Sequence, residues 1–200
     1  MQDVFTEEFK PKRIIDNPSE EKLREWALEQ GGIITEFGNL SVITAVRNRI
    51  AKFTEVVMGE LGQEDVQLVH RVLEYLRGKE MIKLDRVMCY TSGFKRNCRL
   101  YVTASYPRLP LMWGNTLFPP EGGESDFTTI SVPEWPEKKT LVFPETGQTL
   151  CLGSDYKGEI KKAMLRQVMY WAKKEGNLGL HAASKILRVH RDGKLRDFGF

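Results

Sequence analysis

Apolar positions recur along this 200-residue chain with two periods, one near 3.6 and one near 2, and these predict where helices and strands fall. From Glu159 to about Lys174, Ile160, Met164, Val168 and Trp171 repeat at helical spacing. Leu165, Met169 and Ala172 widen that stripe into a core-facing side, and Gly176 is the expected stop. A second helix is predicted from about Pro18 to Gln30, with Asn17 as N-cap, Glu20 in a capping-box position, Leu23, Trp26 and Ala27 inward, and Gly31-Gly32 at the end. A third runs from about Glu64 to Arg77 with Val66, Val69, Leu73 and Leu76 on one side, Gly78 closing it, and His70 as a half-buried spacer beside the stripe.

Between the helices the pattern turns to β-branched and alternating. Ile33 to Thr44 reads as paired strands around Gly38-Asn39, and Lys79 to Tyr90 and Cys98 to Ser105 as two strands flanking Thr91-Ser92-Gly93. Tyr106 to Trp113 reads as a proline-interrupted connector. Asp126 to Ile130, Thr140 to Phe143 and Thr149 to Leu152 read as further strands, and Val189 to Lys194 as part of a hairpin. Strands interleaved with helices allow an α/β fold. The length fits one domain over residues 1–200.

Composition narrows the function classes. Hydrophobic residues are 41% and charged residues 28%, as in a globular chain with one sizeable core. No stretch approaches the roughly 18 apolar residues of a membrane span, and the acidic start MQDVFTEEFKPKR lacks the basic and apolar segments of a signal peptide. A cytoplasmic location is therefore expected. Cys89, Cys98 and Cys151 are three thiols without Cys-x-x-Cys spacing, which supports neither a disulfide framework nor a zinc knuckle. The net charge of +3 is too small to predict a nucleic-acid partner. A basic run at Lys185, Arg188, His190, Arg191, Lys194 and Arg196 keeps an interaction or RNA-binding role as an alternative.

The candidate chemistry gathers between Gly153 and Ser184. Lys162 lies about 200° around the helix from Ile160, so it points away from the core stripe, and Tyr156 stands just before the helix. A first-turn lysine and a histidine after a turn are ordinarily solvated or structural. Their wording changes that expectation. The run Tyr156-x-Gly158-Glu159-x-Lys161-Lys162, followed nineteen residues after Lys162 by His181, resembles the ATP-using phosphoenolpyruvate carboxykinases. Those enzymes carry Tyr-x-Gly-Glu-x-Lys-Lys and then Met-His-Cys-Ser-Ala-Asn at that spacing; here Ala182, Ala183, Ser184 and Lys185 follow the histidine.

The resemblance extends from about Ile33 to the C-terminus and is densest from Leu117 to His181. It includes Thr44 to Phe53, where anchoring on Lys52-Phe53 places Arg47 at the family's carboxylate-binding arginine. Val46, Asn48, Arg49 and Ala51 replace the family's glycine, Ser-Pro and aspartate, and Arg49 is the alternative ligand. A guanidinium fork suits the role, since it grips a carboxylate through two parallel hydrogen bonds.

The resemblance implies an α/β fold with a mixed sheet flanked by helices, and a substrate-side, N-terminal domain that binds oxaloacetate or phosphoenolpyruvate. Lys162 and His181 would be nitrogen ligands to Mn²⁺, and Tyr156, Lys162 and Arg47 would lie against the substrate. The last residues, Asp197 to Phe200, stand where the family enters its phosphate-binding loop, and no Gly-x-x-x-x-Gly-Lys-Ser/Thr run occurs in the sequence. Mg-ATP would then require a C-terminal nucleotide domain as partner, and the 200-residue chain is expected to be inactive alone. A non-catalytic dicarboxylate-binding module built on Arg47, Tyr156 and Lys162 is the other alternative.

Overall fold

Seven strands form one mixed sheet in the computed structural model, which describes residues 8–45, 50–91, 93–183 and 185–199. In chain order the elements are β1 (Arg13–Asp16), α1 (Glu20–Glu29), β2 (Ile33–Ile34), β3 (Leu40–Ser41), β4 (Thr54–Val56), α2 (Gln63–Leu76), β5 (Glu80–Met88) and β6 (Arg96–Thr103). They continue with α3 (Arg108–Gly114), β7 (Phe127–Val132), β8 (Lys139–Phe143), β9 (Gln148–Leu152), α4 (Lys157–Lys174), β10 (Ile186–Arg191) and β11 (Lys194–Gly199). The sheet order is β1-β5-β6-β7-β9-β8-β4. Strands β6, β7 and β9 run parallel at its centre, while β5 and β8 lie antiparallel on either side.

Each face of the sheet is covered separately. On one, α2 buries Leu68, Val69, Val72, Leu73 and Leu76 against Met81, Ile130, Val132, Leu141 and Leu150. On the other, α1, α3 and α4 supply Leu23, Leu109, Trp113, Ile160 and Met164, packed on Ile82, Leu84, Leu100 and Phe127. Met81 and Ile82 go to opposite faces because successive strand side chains alternate. The α/β expectation holds, with helices on both sides of a mixed sheet. Among the described residues no helix is long and apolar enough to cross a membrane.

Four local expectations are corrected. The N-cap of α1 is Ser19, whose Oγ accepts from the Lys22 N–H at 3.2 Å. Asn17 has φ 45, unlike the extended backbone of a cap; it instead exchanges hydrogen bonds with Asp85, tying β1 to β5. The connector from Tyr106 to Trp113 contains α3, because Pro107 precedes the helix and Pro110 falls in its first turn, where no N–H is needed. His70 is exposed, with Nδ1 3.1 Å from Glu8 Oε2. The region from Ile33 to Thr44 pairs only over Ile33–Ile34 and Leu40–Ser41.

The thiols offer a direct check of this packing. Cys98 and Cys151 are each 1% exposed; burial pushes Cys98 up to about 12 and Cys151 further still. Cys89 is half-buried. Ellman's reagent at pH 8 is expected to titrate one thiol in the native protein and all three in guanidinium. Rapid reaction of two or three native thiols would contradict the buried placements.

Candidate active site

Because β6, β7 and β9 are parallel, their C-terminal ends emerge together, the end of an α/β sheet at which ligands bind. There the chain leaves β9 and turns into α4. Gly153 makes the turn possible. Its φ is +66, its N–H donates to Val132 O at 3.0 Å, and a Cβ in its place would sit 2.4 Å from Glu137 O. Ser154 Oγ then accepts from the Tyr156 N–H at 3.3 Å.

Tyr156 stands at the N-cap position of α4 with extended backbone, φ −83 and ψ 112, and makes no side-chain cap bond. Its ring folds back over the first helical turn. A Cβ at Gly158 would lie 2.3 Å from two ring carbons and 2.6 Å from the hydroxyl, so glycine leaves the space that the ring fills. Lys162, half-buried, brings Nζ to 5.7 Å from the Tyr156 ring centroid, a cation over an aromatic face. Tyr156, Gly158 and Lys162 thus make one surface at the positive end of the α4 dipole. Lys161 faces solvent.

Glu159, from the same motif, points inward. It is 1% exposed; Oε1 accepts from Arg166 Nη1 at 2.8 Å, while Oε2 is enclosed with no hydrogen-bond partner among the described residues. The inner face of α4 is turned from the expected stripe. Glu159, Ile160, Ala163, Met164, Gln167 and Ala172 are buried, whereas Val168 and Trp171 are only partly so. Gln167 is admitted because its Nε2 donates to Gln148 O at 2.8 Å and Thr149 Oγ1 at 3.2 Å.

His181 is exposed, in the segment after α4. The Asn177 N–H donates to Ala172 O at 2.7 Å, and Gly179 packs so closely on Met169 that a Cβ there would meet Met169 Cα at 2.8 Å. These contacts step back along the helix as far as Met169. Met169 and Lys162, seven residues apart, share a helix face about 10 Å apart along the axis. Lys162, in the second turn of α4, and His181, seven residues past its end, both carry nitrogen donors of the kind that divalent metals accept. Among the described residues there is no cluster of three or more His, Cys, Asp or Glu side chains able to hold a metal. Arg47 and Arg49 lie outside the described residues.

Asp155 and Arg108 had no place in the motif reading. Asp155 is 3% exposed, and its Oδ2 accepts both from the Ala45 N–H at 2.8 Å and from Arg108 Nη2 at 2.5 Å. The Arg108 guanidinium also lies 5.0 Å from the Tyr106 ring centroid. The available signal was small: Arg108 is the one charged residue between Tyr106 and Trp113, and Asp155 directly precedes Tyr156. A separate recess of about 230 Å³, lined by residues including Asp85, Arg86, Asn97 and Arg99, lies where β6 begins, at the opposite end of the parallel strands.

Comparison with known proteins adds to this geometry. The model of the phosphoenolpyruvate carboxykinase family matches residues 12–196. The match begins upstream of Ile33, so β1 and α1 belong to the shared region. The phosphoenolpyruvate carboxykinase (ATP) of Aeropyrum pernix is 35% identical over 188 residues, an alignment covering 92% of this chain. This chain spans 37% of that relative's length.

Proposed function

The chain belongs to the phosphoenolpyruvate carboxykinase family, and we propose that residues 1–200 form the N-terminal, oxaloacetate-binding domain of an enzyme converting oxaloacetate and ATP to phosphoenolpyruvate, ADP and carbon dioxide. The observation that carries this reading is the surface made by Tyr156, Gly158 and Lys162 at the C-terminal ends of the parallel strands. A cytoplasmic location is part of the same reading.

On this proposal the chain's own residues bind and orient the dicarboxylate. Arg47 grips one carboxylate through paired hydrogen bonds. Tyr156, its ring held over Gly158, places its hydroxyl beside the carboxylate that departs. Lys162 and His181 would supply nitrogen ligands for Mn²⁺. When bound, that ion supplies the positive charge that stabilises an enolate as it develops. Phosphoryl transfer calls for a nucleotide site, and the sequence has no Gly-x-x-x-x-Gly-Lys-Ser/Thr run. Mg-ATP therefore belongs to a nucleotide domain acting with this one, and the 200-residue chain is expected to form no phosphoenolpyruvate by itself.

A second reading is a metal-independent dicarboxylate-binding module, in which the Lys162 side chain, set over the Tyr156 ring, meets a carboxylate directly. Calorimetry with Mn²⁺ and oxalate, an enolate mimic, separates the two. The enzyme-domain reading expects oxalate to strengthen Mn²⁺ binding and His181→Ala to weaken it by about tenfold or more. Oxalate binding that ignores both Mn²⁺ and the substitution would select the module. Absence of any binding would remove both.

A further inference from the structure

We propose that Arg108 and Asp155 are positioning residues, a buried clamp that fixes Ala45 to the entry of α4 and so sets dicarboxylate affinity without touching the ligand. The inference deepens the preceding reading and rests on it for the consequence, though not for the clamp itself.

Three segments distant in sequence meet at one oxygen. Asp155 Oδ2 takes a hydrogen bond from Ala45, 110 positions away, and another from Arg108, 47 positions away. Ala45 is two positions before Arg47, and Asp155 immediately precedes Tyr156. One carboxylate thus joins the entry to the proposed carboxylate-gripping loop with the entry to the helix that carries Tyr156 and Lys162.

The chemistry suits a clamp. The Asp155 and Arg108 side chains are only 4% and 14% exposed. Taking two charges out of water offsets much of their attraction, so such a pair contributes little net stability compared with apolar residues of similar size. What an apolar pair would not do is accept the Ala45 N–H. Arg108 neutralises the carboxylate, and the carboxylate holds the Ala45 N–H. The guanidinium has little freedom to leave, being stacked against Tyr106 with its Nε enclosed. The bond to Ala45 is charge-assisted, the stronger kind.

Amide hydrogen exchange and oxalate calorimetry on the 200-residue protein test this in Asp155→Ala and in the near-isosteric Asp155→Asn, which keeps an acceptor but loses the charge. In Asp155→Ala the Ala45 amide is expected to exchange roughly tenfold faster or more, and oxalate affinity to fall by about tenfold. Amides of β6, β7 and β9 should keep their protection. Asp155→Asn should lie between Asp155→Ala and the wild type on both readouts, and it carries the test alone if the alanine variant does not fold. Unchanged Ala45 exchange in a folded variant would overturn the clamp, as would unchanged oxalate affinity beside a wild type that binds. A wild type that binds no oxalate would instead overturn the dicarboxylate reading, and with it the clamp's effect on affinity; Ala45 exchange would still decide the anchor.

Discussion

Gly153→Ala is expected to destabilise the protein by roughly 3 kcal/mol or more, a large effect for a single added methyl group. Two causes add. At φ +66 an alanine carries the penalty of the left-handed conformation, about 1–2 kcal/mol. Its Cβ would also lie 2.4 Å from Glu137 O and 2.9 Å from Trp135 O. Both are backbone atoms, so no side-chain rotation relieves the contact, and the chain around Trp135 and Glu137, just before β8, must move. For a domain of this size each kcal/mol shifts Tm by about 2–4 °C, so Tm should fall by roughly 10 °C. Gly176→Ala is the control, because φ there is +79 with nothing within 4 Å of the added carbon; it should show the conformational penalty alone. Thermal melts that place the two variants together would refute the close approach at Gly153.

Arg166→Ala should cost about 3 kcal/mol, although Arg166 is not fully buried. The reason lies in its partner. Glu159 is 1% exposed and Arg166 Nη1 is 2.8 Å from its Oε1, so removing the guanidinium leaves a buried carboxylate uncompensated, typically worth about 3–5 kcal/mol. The lower end applies because the Arg166 side chain is 23% exposed and water can partly replace it. Glu159→Gln keeps the shape without the charge and should be milder. In urea denaturation the double variant should be less destabilised than the sum of the two single variants. An additive result, or an Arg166→Ala loss under about 1 kcal/mol, would mean that the pair is not coupled as the geometry implies.

Much of α4 was legible in the sequence because apolar residues at 3.6 spacing mark a helix, and its bounds, Lys157–Lys174, fall within two residues of those expected. Its inner face was only partly legible. Glu159 and Gln167 are buried with one polar atom each bonded to Arg166 or to Gln148 and Thr149, and hydrophobicity alone does not register such a partner. Helix α3 was hidden by Pro107 and Pro110, which read as breakers unless they fall at a helix start. For the site, the rotation that separates Lys162 from Ile160 correctly set the lysine off the core, while its place over the Tyr156 ring is a contact that rotation does not give. The bonds joining Ala45 and Arg108 to Asp155 were not legible, since periodicity and local motifs carry no information across 110 and 47 positions.

The Tyr156 ring over Gly158 has a consequence for how this segment drifts through descent. The glycine is required there by the ring and not by its own backbone, since its φ is not in the left-handed range. Homologues that have lost the tyrosine are released from that constraint and should accumulate alanine or larger residues two positions later. Those that keep the tyrosine should hold the glycine, so the two positions should vary as one character across the family.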